Sequence, residues 1–406
     1  MTDIALGIGL LVALLLTLTL VVTVARALLV PTRPVTVTVN DRREIGATTG
    51  AKLLGVLNGD GILIPSACAG AGTCGLCRVR VTDGGAEALP TEVSRLSRAE
   101  LSQGMHLACQ VTLRGDMDVE VPAALLAAES YTCTVVETRH LTPLIREVTL
   151  ALPEGMRPEI AAGAFLQVTA PPYRQAFDEM EVAERFHTLW EPLRGLVAEA
   201  AEETTRAYSI ANRPADSDAG HIVLDIRLAL PPPSLPGTPP GIVSSWLFGL
   251  NPGDPVPSAG PFGSFRARPG DAEMILIGGG VGMAPLRAIA HDQLERVRAG
   301  RRISLWYGAR SRIELLYTEE MDALAAAHDN FDWTVVLSDP APGDDWQGET
   351  GFVHTVVWER YLRQHPAPEA CEYYLCGPPL MMRAVFAMLD DAGVDRSSIF
   401  FDDFGV

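Results

Sequence analysis

Four cysteines carry the most direct chemical signal. Cys68, Cys74, Cys77 and Cys109 are spaced C-x5-C-x2-C-x31-C, with glycines and other small residues through the first loop. Glycines let a backbone curl so that N–H groups point inward at anionic sulfur, while thiolates converge on a metal centre. A tight loop of three cysteines closed by a distant fourth suits an iron–sulfur cluster. Structural zinc sites usually pair two C-x2-C knuckles, and this chain has one. The remaining alternative is a set of buried thiols. A cluster handles single electrons, so the rest of the chain should supply or accept them.

Two further constellations bear on redox chemistry. In Arg206-Ala-Tyr208-Ser209, residues two apart on a strand share a face, so Arg206 and Tyr208 point together and Ser209 points away. An arginine forks onto a pyrophosphate, a tyrosine ring lies against a flat isoalloxazine, and a serine hydroxyl can bond a ring nitrogen. Gly241-Ile-Val-Ser244-Ser245 opens a helix whose first N–H groups favour an anion. Alone, each reads equally as an ordinary strand or helix start. The third constellation is Gly278-Gly279-Gly280-Val-Gly282-Met-Ala-Pro285, at the end of an apolar strand. Its small residues permit close approach of a pyrophosphate, yet it is not the G-x-G-x-x-G fingerprint: Met283 or Pro285 stands at the third glycine.

These residues need scaffolds. Val35–Val39 alternates as a strand, Ala51–Asn58 reads as a helix, Arg78–Val81 and Asp118–Val121 as strands, and Leu89–Leu101 as one helix. His106 reads as a surface or packing histidine rather than a cluster contact. Cys133–Val136, Glu147–Leu150, Phe165–Val168 and Ile222–Leu230 suggest a second β-rich region, interrupted by a charged and aromatic stretch from Pro171 to Thr205. From Met274 onward strands and helices alternate, which predicts a parallel doubly wound sheet with ligands at the carboxyl ends of its strands. Helices are expected over Leu286–Val297, Met321–Ala327, Thr355–Leu362 and Leu380–Leu389.

The chain has 406 residues, room for several cores. Its formal charge of −18 argues against nucleic acid. Seven cysteines are few for this length and do not form a disulfide scaffold, so the domains read as facing a reducing compartment. Ile4–Val24 holds 21 residues without charge or proline. At ~1.5 Å per residue it reaches across a bilayer core. Asp3 precedes it and Arg26, Arg33, Arg42 and Arg43 follow, which places the later domains on the cytoplasmic side. Thr17, Thr19 and Thr23 can bond back to their own helix. No ionisable residue lies mid-span, so the helix anchors and is not an ion path.

Arg206-x-Tyr-Ser, the Gly241–Ser245 motif, Gly278–Pro285 and Cys376-Gly377-Pro378-Pro379 together resemble the ferredoxin–NADP⁺ reductase superfamily. With the cysteine loop ahead of them, Trp306-Tyr-Gly-Ala-Arg310, and the terminal Asp402-Asp403-Phe404-Gly405, the chain resembles end to end the F-subunit family of bacterial Na⁺-translocating NADH:quinone oxidoreductases. The resemblance implies a multidomain chain. It would have a transmembrane anchor (1–30), an α+β ferredoxin-like [2Fe–2S] domain (33–125), an antiparallel β-barrel FAD domain (130–268) and an α/β doubly wound NADH domain (270–406). The x5 first interval departs from the plant-type x4, so the ferredoxin match is to the domain class. The resemblance implies cluster ligation by Cys68, Cys74, Cys77 and Cys109. It implies FAD on Arg206, Tyr208, Ser209, Gly241, Ser244 and Ser245. It implies NADH on Gly278, Gly279, Gly280, Gly282, Pro285, Cys376, Gly377 and Pro378. Ser209, Cys376 and Phe404 would act at the hydride path, Phe404 by covering the flavin face until nicotinamide displaces it.

On that reading a hydride passes from NADH to FAD, and single electrons then pass through the cluster to membrane partner subunits and on to a quinone, in the bacterial cytoplasmic membrane. Arg310 and Arg312 beside Glu314 leave NADPH open from the residues alone; the family implies NADH. Cys133 and Cys371 have no role derivable from sequence. Two other readings remain: the reductase component of an oxygenase, and a membrane-tethered redox sensor without catalysis.

Overall fold

A computed structural model describes residues 9–21, residues 32–126 apart from 67 and 69, and residues 128–402 apart from 233, 236 and 344. The expected span Ile4–Val24 is therefore described only in part, and Phe404 lies outside the described residues. Residues 9–21 are helical, with Leu10, Leu14 and Leu18 exposed. The Thr17 and Thr19 hydroxyls donate back to the Ala13 and Leu15 carbonyls, as expected for threonines in an apolar helix. Among the described residues no helix is long and apolar enough to cross a membrane.

The chain divides into two compact units, Met1–Ile64 with Gly70–Leu126, and Pro65–Ala69 with Ala127–Val406. The first holds a five-stranded sheet of β1 (Pro34–Val39), β2 (Arg43–Thr48), β3 (Arg78–Asp83), β4 (Met105–Leu107) and β5 (Met117–Glu120), in the order β2-β1-β5-β3-β4. Valines of Pro34–Val39 alternate inward and join Val79, Val119, Leu53 and Leu57 in the core. The helix expected over Leu89–Leu101 is instead two short turns, Pro90–Val93 and Arg98–Ser102. Ser97 breaks the run by starting a new helix: it accepts from the Glu100 N–H, and the Glu100 carboxylate answers its own N–H. Buried Glu92 accepts from the N–H groups of Leu89 and Leu107 and faces His106 Nδ1 at 3.1 Å. His106 is thus a packing partner of Glu92.

The second unit begins with a six-stranded antiparallel sheet. Its strands are β6 (Glu129–Thr142), β7 (Ile145–Ala151), β8 (Phe165–Ala170), β11 (Thr204–Ser209), β12 (His221–Arg227) and β13 (Pro255–Phe262), in the order β11-β8-β13-β6-β7-β12. An antiparallel bridge between Ile210 and Leu224 joins the two edges and closes the sheet into a barrel, leaving no open edge there. The stretch from Pro171 to Thr205 is a folded insertion. It carries the hairpin β9 (Tyr173–Ala176) and β10 (Val197–Ala200). Its Phe177 and Trp190 are fully buried in the barrel core, Trp190 stacked 5.7 Å from Phe248.

The remainder is a parallel sheet of β14 (Met274–Gly279), β15 (Ile303–Ala309), β16 (Phe331–Leu337), β17 (Glu349–Thr350), β18 (Glu372–Cys376) and β19 (Ile399–Asp402), ordered β17-β16-β15-β14-β18-β19. Every residue of Met274–Gly279 is buried, as a central parallel strand requires. Met274 and Leu276 pack on one face with Leu286, while Ile275 and Ile277 pack on the other with Val385 and Leu389. Strand order reverses between β14 and β18, which opens a crevice at their carboxyl ends. The helix expected over Leu286–Val297 runs Met283–His291 and then widens into a π turn, Asp292–Arg296.

Candidate functional site

In the first unit Cys74, Cys77 and Cys109 are buried and clustered. Gly70, Gly72 and Gly75 all have positive φ, so the loop curls as L side chains rarely allow. A Cβ on Gly72 would lie 2.8 Å from the Gln110 side chain. That space matters because Gln110 Nε2 donates to Gly70 O at 2.9 Å and to Cys109 Sγ at 3.3 Å. The Cys77 thiol donates to Cys109, which holds Cys109 down to about 6, helped by Gln110 and the Gly72 N–H. The same hydrogen bond, with burial, pushes Cys77 up. A loop that supplies donors to sulfur, with neighbouring thiols sharing a proton, fits a thiolate-ligated cluster. Cys68 lies on the segment Pro65–Ala69, which belongs with the second unit. Sequence reasoning missed Gln110; its place directly after the fourth cysteine was the available signal.

In the second unit β11 presents Arg206 and Tyr208 on one face, paired with Val168 and Leu166 of β8. Arg206 is half-buried and donates to Thr205 O at 2.8 Å. Burial pushes the Tyr208 phenol up while Arg206 opposes that shift. It therefore stays a neutral donor. Ser209 is buried, and its hydroxyl donates to Asp402 Oδ2 at 3.1 Å.

The helix Ile242–Phe248 starts at Gly241. Ser244 is engaged locally, donating to Gly241 O at 3.1 Å and accepting from the Ala229 N–H at 3.2 Å. The Ser245 hydroxyl is fully buried and has no partner among the described atoms. Ser244 thus shapes the helix start, while Ser245 keeps a spare hydrogen-bonding group.

The nucleotide loop meets the end of β18 closely. Register places Gly278 beside Cys376, and Cys376 beside Asp402. A Cβ on Gly282 would fall 2.1 Å from Cys376 O, so only glycine fits. Gly280 turns with φ +54 and its carbonyl accepts from Tyr307 Oη at 3.1 Å. The sequence motifs Ser209, Gly278–Gly282 and Cys376–Pro378 therefore come to one edge, at the reversal of strand order. Asp402, read from sequence only as part of a terminal motif, joins them.

Residues 37–114 match the family model of the 2Fe-2S iron-sulfur cluster binding domain, and residues 276–386 that of the oxidoreductase NAD-binding domain. A Neisseria gonorrhoeae protein, named as the F subunit of Na(+)-translocating NADH-quinone reductase, is 45% identical over 405 residues, 99% of this chain and 100% of that protein. The chain belongs to this F-subunit family. The Actinobacillus succinogenes member is 45% identical over 403 residues, 98% of each protein. Among solved structures, Amycolatopsis cytochrome P450 reductase GcoB is similar at TM-score 0.63 and 26% identity, over 91% of this chain and 98% of that one. The ferredoxin reductase in carbazole 1,9a-dioxygenase follows at TM-score 0.59 and 25% identity, over 92% and 99%. Membership in the family makes the chain an oxidoreductase with a [2Fe–2S] domain and an NAD-binding domain on a flavin-reductase fold.

Proposed function

We propose that this chain is the electron-entry subunit of a Na⁺-translocating NADH:quinone reductase, held at the bacterial cytoplasmic membrane by residues 4–24 with its domains in the cytoplasm. The observation that carries the reading is the row Gly278, Cys376, Asp402, with Ser209 bonded to Asp402. It sets the flavin-strand serine against the carboxyl ends of the nucleotide strands.

Bound flavin supplies two-electron acceptance and one-electron release, which a nicotinamide donor and a one-electron [2Fe–2S] centre require between them. Arg206 would hold the flavin pyrophosphate, and Tyr208 would lie against its ring. Ser209 would position a ring nitrogen for hydride arrival, with Asp402 fixing the hydroxyl. Gly278–Gly282 and Gly377–Pro378 would let NADH approach the backbone, and Cys376 would flank the nicotinamide. Cys68, Cys74, Cys77 and Cys109 would hold the cluster.

NADH-driven quinone reduction in native membranes, with and without sodium, tests this against a strain lacking the chain. Sodium stimulation that vanishes with the chain supports the reading. Sodium-indifferent NADH–dye reduction without quinone activity would transfer support to an oxygenase reductase component, the reading favoured by the names of the two solved structures.

A further inference from the structure

At the opposite, amino-terminal edge of the parallel sheet lies a cluster the proposed electron path does not use. Glu273 immediately precedes β14 and Cys371 immediately precedes β18. The Glu372 N–H donates to Glu273 O at 2.8 Å, which locks the two strand starts together. His365 reaches them from the preceding turn, its N–H bonded to Leu362 O at 3.1 Å. His365 Nε2 lies 3.1 Å from Glu273 Oε2 and 3.8 Å from Cys371 Sγ. One ligand atom from each of the three residues lies within 4.8 Å of the others.

We propose that Glu273, His365 and Cys371 form a zinc site. Zinc takes thiolate, imidazole and carboxylate at ~2.0–2.3 Å, and a tetrahedron of that size sets ligand atoms about 3.4 Å apart. The two measured separations bracket that value. The carboxylate is already oriented to receive an ion. Tyr361 donates to Glu273 Oε1, and Arg302 Nε stands 3.7 Å from the same oxygen. Oε2 is left to face His365. Such outer partners are how metal sites fix their ligands. Cys371 is 2% exposed, whereas Glu273 and His365 are half-buried and give the ion a way in. A water completes the fourth position, as in other three-ligand zinc sites.

Binding sends the Cys371 thiol proton to solvent and moves the imidazole proton from Nε2 to Nδ1. No electron moves. The Ala367 N–H, now 3.3 Å from Nδ1, gives up that contact. The ion ties the starts of β14 and β18 and the His365 turn into one clamp.

The test uses the purified full-length holoprotein. Zinc and iron are counted together, and Zn²⁺ affinity is measured by competition with a chromophoric chelator. The expected result is about one zinc per chain, the stoichiometry of a single ligand set, with iron content undiminished. Cys371→Ser and His365→Gln should lose that zinc while keeping iron, flavin and NADH–dye activity. Tyr361→Phe should weaken zinc roughly 10–100-fold. No zinc uptake by the wild-type protein overturns the site, and this holds even if a variant fails to fold. Zinc retained by both variants, or zinc rising only as iron falls, also overturns it, because the ion would then lie elsewhere or on the cluster cysteines.

Discussion

Ser209 Oγ and Asp402 Oδ2 are 3.1 Å apart, although 193 positions separate them in the chain. One ends a barrel strand and the other ends the parallel sheet. The serine hydroxyl thus has one defined direction, and the carboxylate is the group that defines it. If Ser209 positions the hydride acceptor, Ser209→Ala should lower the hydride-transfer rate by about 100-fold, within the range for a positioned polar group. Asp402→Asn should lower it less, about 10-fold, with little change in KM for NADH. The double variant should fall short of the product of the two effects, because both act through one contact. Stopped-flow flavin reduction checks all three.

Gln110 bonds Cys109 Sγ at 3.3 Å and the Gly70 carbonyl at 2.9 Å. A donor to a cluster sulfur favours the more negative, reduced state. Gln110→Ala removes one such donor, worth ~0.5–1.5 kcal/mol. The reduction potential should fall by roughly 20–60 mV at 59 mV per tenfold change. An EPR-monitored redox titration reads the shift. An unchanged potential would mean that the amide serves loop folding alone.

Much of this was legible because the signals were local. Val35–Val39 and Met274–Gly279 announce their burial through alternation and through a continuous apolar run. The glycines of 278–282 announce a close approach, and Gly282 meets the Cys376 carbonyl. Leu89–Leu101 misled because its apolar spacing suits one helix, while Ser97 and Glu100 favour a cap within it. Asp402, Glu92 and Gln110 were not legible as site residues. Each acts on an atom distant in sequence or on a backbone group, and no periodicity encodes such a partner. The Glu273, His365 and Cys371 group was hidden for the same reason: its members are joined only by strand register.

Tyr317 Oη lies 2.6 Å from Asp225 Oδ1 and 2.7 Å from Glu147 Oε2. One hydroxyl proton cannot serve two carboxylates at once, so a second proton is needed. Burial raises Asp225 to about 7, while the Tyr317 hydroxyl and the Arg287 guanidinium pull the other way and Glu147 and Glu320 add to the rise. The folded protein therefore holds a proton on Asp225 that the unfolded chain releases near pH 4. Stability falls as pH rises from about 4 to about 7, by up to about 1.4 kcal/mol per pH unit from this one group, and is level above that. Asp225→Asn removes the proton exchange. Urea unfolding at pH 5.5 and 7.5 should show the variant gaining stability relative to the wild type at the higher pH. A difference that does not change with pH would place the bound proton on Glu147.

Arg310 stands just past the end of β15, where a nucleotide-binding sheet reads the ribose 2′ position. Its guanidinium is paired with Glu314 through both carboxylate oxygens, with Nε 3.0 Å from Oε2. A guanidinium so occupied is poorly placed to take a 2′-phosphate, and the nearby carboxylate repels one. This pairing gives a physical reason for a preference for NADH. Glu314→Ala would free the fork and remove the repelling charge. The kcat/KM ratio of NADPH to NADH should rise about 10-fold, the equivalent of one charge-assisted contact of about 1.4 kcal/mol. Arg310→Ala in the same background should return the ratio toward that of the wild type. If the ratio stays fixed in Glu314→Ala, the 2′ position is read by a residue other than this pair.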